Sequence, residues 1–195
     1  MLDRLAKNWV YGGSLAGVLL LLLAPLLLRG WGAADTATFL CLPVYMLHQL
    51  EEHDRDRFRQ FINSKLGDGA DVLTTRVVFL VNIPGVWGVI ALSLWLSATV
   101  NTGFGLIAAY LVLVNAVVHI MPALLMRCYN PGLVTAILLF LPLGAYCLYA
   151  TGQTGAGTIG MHVTGIAIAI AIHAALIAYV LRVRRGLQRK APALG

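Results

Sequence analysis

Charge is what this chain has least of. Only 11% of its 195 residues are charged, and glutamate occurs twice, side by side at Glu51 and Glu52. With 59% hydrophobic residues and a mean hydropathy of +0.83, the composition excludes an ordinary soluble domain. The three cysteines, Cys41, Cys128 and Cys147, are widely spaced and form no paired pattern, which excludes a disulfide framework. Cys41 and Cys147 lie in apolar segments and read as packing residues. No aromatic platform accompanies the basic residues, so the net charge of +6 does not point to nucleic acid. Strict apolar/polar alternation is missing, and with it the signature of a membrane barrel. No two halves resemble each other, so the repeats that build many carriers are missing as well.

What is present is a succession of continuous, Leu- and Ala-rich runs. In hydrocarbon each backbone polar group has to be paired within the chain, so runs of span length predict helices. The expectation is an all-α integral membrane bundle of about six transmembrane helices. It forms a single domain over 1–195, with spans over 10–28, 33–50, 73–99, 104–126, 132–150 and 161–181. The first run is long enough to be retained rather than removed as a signal peptide. Between the second and third, residues 54–66 set Phe58, Phe61, Ile62 and Leu66 on one helical side. Arg55, Arg57, Arg59 and Lys65 fall largely elsewhere, the pattern of a short amphipathic helix at the interface. Gly67-Asp68-Gly69 ends it. With this count 13 of the 14 basic residues share one side and only Arg29 lies opposite, so both termini are expected in the cytoplasm.

The stretch His48-Gln49-Leu50-Glu51-Glu52-His53 closes the second run. Carboxylates and imidazoles are costly at the end of a lipid-length segment, so they mark a candidate site. His48 precedes Glu51 by three residues and Glu52 by four, so one helix face offers an imidazole with either carboxylate. His53 points mostly away unless the helix ends near Glu52. Asn115 and His119 share a face of the fourth run. Counted by helical rise from the flanking arginines, His48, Asn82, His119 and His173 lie roughly 9–13 Å from the inner boundary on four spans. His162, in the outer loop region, reads as incidental.

Two chemistries suit this set. In one, His48, His119 and Glu51 or Glu52 hold a transition metal (zinc, iron or manganese), the second carboxylate serving as base or bridge. In the other no metal is needed: the adjacent carboxylates share a proton that a histidine relays, as suits an isomerase acting on a hydrophobic lipid. His53, Asn82, Asn115 and His173 are supporting polar residues in either case. The bland reading makes Glu51, Glu52 and His53 interface charges paired with Arg55, Arg57 or Arg59. The spacing departs from His-Glu-x-x-His and from its inverted form, because Glu52 stands where the latter needs histidine.

His48-Gln49-Leu50-Glu51-Glu52, the later His119, and Tyr129-Asn130-Pro131-Gly132 occur in that order. Together they resemble the bacterial membrane family named for its HXXEE motif, whose pattern is His-x-x-Glu-Glu, a further histidine, and Tyr-x-Pro-Gly. The resemblance implies an integral membrane protein, here of the bacterial inner membrane, and brings no assigned activity. It adds Tyr129, Pro131 and Gly132 to the motif positions and makes Tyr129 a third catalytic candidate beside Glu51 and Glu52. The expected partners are membrane lipid and an apolar substrate. A membrane-embedded enzyme open to the cytoplasmic leaflet is the leading expectation. A small proton- or metal-coupled transporter and a non-catalytic membrane interaction protein are the alternatives.

Overall fold

Long apolar runs produce the expected all-helical chain. The computed structural model describes residues 1–67 and 69–190, with no strand among them. Asp68, in the break after the amphipathic segment, and residues 191–195 of the expected 1–195 domain lie outside the described residues. In chain order the helices are α1 (Leu2–Leu27), α2 (Ala33–His53), α3 (Arg57–Lys65) and α4 (Thr75–Thr99). They continue with α5 (Gly105–Met126), α6 (Leu133–Gln153) and α7 (Ile159–Lys190). Thr74 caps α4 by accepting from the Val77 amide, and Asn101 caps the turn into α5 by accepting from the Gly103 amide.

Among the described residues, five helices are long and apolar enough to cross a membrane: Asp3–Leu27, Thr75–Thr99, Thr102–Met126, Leu133–Gln153 and Ile159–Arg189. The segment expected as the span 33–50 is not one of them. Its helix, α2, carries Asp35, Glu51 and Glu52 together with His48, Gln49 and His53. It tolerates them because it packs against α1, α4, α5 and α6 and buries residues along its whole length. A helix lined by protein rather than lipid can hold polar side chains that hydrocarbon would exclude. The outward surfaces of α1, α5 and α7 are instead apolar, with Leu15, Leu22, Leu125 and Ile159 among the most exposed large side chains.

The π-helical stretch Val81–Trp87 interrupts α4 around Pro84, which has no amide to donate to the ladder. The widened turn brings Asn82 and Trp87 together on Gln49. Gln49 donates to Asn82 Oδ1 at 2.7 Å and accepts from Trp87 Nε1 at 2.6 Å, which fixes α2 to α4. On the other side of the bundle Gly165 lets α7 approach α5, since a Cβ there would stand 2.8 Å from the Leu106 carbonyl oxygen.

The amphipathic segment expected over 54–66 divides into a short 3-10 turn, Asp54–Asp56, and α3. Its Phe58, Phe61, Ile62 and Leu66 line a cavity together with His119, His173 and Val180. The apolar face of α3 therefore looks into the bundle. Asn63 holds the chain that follows α3 by donating to Asp71 and accepting from the Leu73 amide at 2.8 Å each.

Candidate metal centre

The end of α2 points its two carboxylates in different directions, because neighbouring helical residues are turned by about 100°. Glu52 is buried, 5% exposed, and faces His48, His53 and His119. Its oxygens lie 3.5 Å from His48 Nε2, 3.6 Å from His119 Nε2 and 3.1 Å from His53 Nε2. His48 and His119 are buried as deeply, at 0% and 2% exposure. One ligand atom from each of His48, Glu52 and His119 falls within a group spanning 4.8 Å, a set that could hold a metal ion.

The far side of each imidazole decides which nitrogen faces Glu52 with a lone pair. Thr135 Oγ1 donates its one proton to Glu51 Oε2, so at 2.8 Å it accepts from His48 Nδ1. Asn130 grips His119 from both ends: its amide nitrogen donates to the His119 carbonyl, and its Oδ1 lies 2.7 Å from His119 Nδ1. Both Nδ1 atoms are thus the protonated ones, and both Nε2 lone pairs face the Glu52 carboxylate. His48 Nε2 has no hydrogen-bond partner among the described residues. Three lone-pair-bearing atoms buried together repel one another unless positive charge lies among them, either a metal cation or added protons. Either would fit the group as it stands. The separations of 3.5 Å from His48 to one Glu52 oxygen and 3.6 Å from His119 to the other are long for direct hydrogen bonds.

Glu51 has no part in that group. One oxygen accepts from the Tyr129 hydroxyl at 2.7 Å and from the Val134 amide at 3.1 Å; the other accepts from the Thr135 amide at 2.7 Å and from the Thr135 hydroxyl. A carboxylate from α2 therefore caps the free amides at the start of α6 and ties the preceding loop to the centre. Burial and the Glu51 carboxylate push the Tyr129 phenol above its usual range, so the half-exposed ring stays a neutral donor at neutral pH. The two glutamates have separate partners, and the shared proton expected of an adjacent pair has no support here.

Glu52, Asn82, Asn115, His119 and His173 line a single chamber of about 60 Å³; of the four residues expected at equal depth, Asn82, His119 and His173 meet there, and His48 is not among its lining residues. Asn115 donates to Tyr45 Oη at 2.6 Å and leaves its own Oδ1 unpartnered among the described residues. His173 bonds through Nδ1 to the Ala169 carbonyl of its own helix and forms chamber wall without joining the ligand group. His53 ends α2 and stacks near Trp9 and Phe58, with ring centroids 5.1 and 5.4 Å away. Because the helix stops there, His53 reaches Glu52 after all. Beyond the chamber lies the apolar cavity of about 240 Å³ under α3, which shares Phe58, Val118, His119, His173 and Leu176 with it.

A family model described as a protein of unknown function with HXXEE motif matches residues 39–147, more than half of the chain. The chain belongs to that family. No curated protein and no solved structure matches it. Most parts of the HXXEE pattern have a physical task in this fold. The first motif supplies His48 and Glu52 to the centre and Glu51 to the loop; the lone His119 completes the centre. Tyr129 bonds Glu51, and Asn130, at the variable position of Tyr-x-Pro-Gly, orients His119. Gly132 has φ +98°, and a Cβ on it would stand 2.7 Å from His119 Cε1 and 2.9 Å from His48 Cε1. Only a residue without a side chain lets the loop close over both rings.

The sequence reading missed Asn130, Thr135, Gln49 and Trp87 as parts of this assembly. Thr135 had one available signal, its place in the first turn after Gly132, where helix amides lack partners. Gly132→Ala is expected to lower stability by about 1–3 kcal/mol, a Tm loss of several degrees, through backbone strain and displacement of both imidazoles. Gly186→Ala, with nothing within 4 Å of the new methyl, is the control for thermal unfolding in detergent. An unchanged Tm at position 132 contradicts the packing described.

Proposed function

We propose that the chain is a membrane-embedded, metal-dependent enzyme acting on a lipid or other apolar molecule that enters from the cytoplasmic leaflet. One observation carries the reading: His119 belongs at once to the ligand group, to the polar chamber and to the apolar cavity. A molecule lying along Phe61, Leu66, Ile177 and Val180 meets polar chemistry at its inner end.

In this reading His48, Glu52 and His119 hold zinc, iron or manganese, which when bound supplies Lewis-acid polarisation of a substrate oxygen. Thr135 and Asn130 fix the imidazole tautomers and so the direction of both lone pairs. The free Oδ1 of Asn115 offers the chamber an acceptor for a substrate hydroxyl. Phe58, stacked near both His53 and His119, separates the centre from solvent beneath α3. Glu51 and Tyr129 are positioning residues, not reacting groups, because their polar atoms are engaged with the loop.

The same proposal includes six spans, α2 among them, in a bacterial inner membrane with both termini cytoplasmic. Support comes from contacts that gather the basic chain segments at one end. Arg76 at the start of α4 bonds Asp3 at the start of α1, and Tyr11 donates to Asp54 just beyond α2. Val180, toward the end of α7, packs in one cluster with Trp9 and Val10. A protein fused after residue 190 is expected to fluoresce as a cytoplasmic reporter and to be inactive as a periplasmic phosphatase. The reverse pattern contradicts the orientation.

Elemental analysis of detergent-purified protein tests the centre. Wild type and Tyr129→Phe are expected to carry close to one metal per chain, and Glu52→Gln and His119→Ala to lose it by about tenfold or more. Incubation with membrane lipid extract, followed by mass spectrometry, is expected to show a species consumed by wild type and not by Glu52→Gln. Metal-free protein that still consumes lipid supports the acid–base alternative. Metal carried into proteoliposomes without lipid turnover supports transport.

A further inference from the structure

A second pocket, of about 340 Å³, opens between the start of α1, the turn after α2 and the start of α4, with Lys7, Trp9, His53, Arg55, Asp56 and Arg59 among its lining residues. We propose that it binds a phosphate-bearing anion. The charged walls are three cations against one carboxylate, and that carboxylate is already satisfied, because Asp56 pairs with Arg59 at 2.6 Å. Arg59 is shared further with Asp71 at 2.7 Å, and Arg57 beside the pocket pairs with Asp54. Lys7 and Arg55 form no ion pair with any described residue. Two exposed, unpaired cations lining one concave surface attract an anion, and arginine matches phosphate oxygens in pairs.

Two further observations point to a ligand. His53 is 6% exposed, stands in the pocket wall, and has no hydrogen-bond partner for Nδ1 among the described residues. A buried polar atom without a partner, on a residue that lines a pocket, calls for a polar group there. The backbone is also strained at this point: Arg55 and Asp56 have φ of 52° and 65°, consecutive left-handed residues without glycine. Such conformations cost about 1–3 kcal/mol each and recur at ligand clamps. Here they turn the chain sharply between α2 and α3, where Arg55 contributes to the wall.

The pocket is larger than a bare phosphate needs, and Trp9, Val10 and Val78 give it an apolar side. The fitting ligand is a phosphate ester, either the headgroup of an anionic lipid or a soluble monoester. The site stands independently of the metal reading, although His53 joins the two by touching Glu52 from the pocket wall.

The test is binding to full-length protein at fixed ionic strength, with glycerol phosphate in solution and phosphatidic acid in zwitterionic nanodiscs as probes. Wild type is expected to bind at least one probe about tenfold more tightly than Lys7→Gln/Arg55→Gln. Arg55→Lys is expected to retain part of that affinity, and the exposed Arg182→Gln all of it. The double variant keeps wild-type Tm and metal content, since neither side chain touches the ligand group, so this result is separable from failure of the metal centre. Binding of glycerol phosphate supports a soluble ester, and binding of phosphatidic acid alone supports a lipid headgroup. The proposal is overturned if neither probe binds wild type, if the double variant binds as well, or if Arg182→Gln loses as much.

Discussion

The Glu52 carboxylate, buried and facing two imidazole lone pairs, is the constraint to which much of the surrounding structure answers. Left to itself the arrangement is unfavourable: three electron-rich groups are buried together. It persists because the side chains behind each ring hold the wrong tautomer away. Thr135 commits its proton to Glu51 and so accepts from His48, and Asn130 holds His119 by its carbonyl and its ring. The loop that carries these groups is itself fastened by Glu51. The result is a preorganised set of donors whose electrostatic cost a cation would relieve.

Two adjacent glutamates thereby acquire opposite tasks from a single turn of geometry. Glu52 looks into the bundle and Glu51 looks toward the start of α6. One is a ligand candidate surrounded by imidazoles, the other a helix cap surrounded by donors. The requirement that the loop lie flat over both rings then makes Gly132 as much a part of the centre as the histidines. Asn82 and Trp87, brought together by the π-helical turn, hold α2 in rotation through Gln49. Exchanging the environments of the two carboxylates would take a rotation of α2 of about 100°.

Much of this was legible in the sequence, and for definite reasons. The all-helical class followed from the length and continuity of the apolar runs, which leave the backbone no other way to satisfy itself in lipid. The convergence of Asn82, His119 and His173 followed from helical rise, because depth in a bundle is simply residue count, and Asn115 followed from its place on the same helix face as His119. What the sequence could not convey was azimuth. Rise says how deep His48 and the glutamates lie; it does not say which carboxylate turns inward, and both seemed equal by spacing. Hydropathy does not convey enclosure: the polar residues of α2 keep it from ranking among the candidate spans, yet it packs against four other helices. The apolar face of α3 was legible as a stripe, but its choice of protein cavity over lipid depended on where α5 and α7 stand. Thr135 and Asn130 are ordinary loop and helix-start residues until the rings they orient are in place.

X-ray absorption at the edge of the co-purifying zinc, iron or manganese tests the central claim most directly. The account predicts a first shell with two imidazole nitrogens and one carboxylate oxygen at about 2.0–2.2 Å, falling to one imidazole in His119→Ala reloaded with the metal. A shell without imidazole scattering, or one unchanged by His119→Ala, would contradict it.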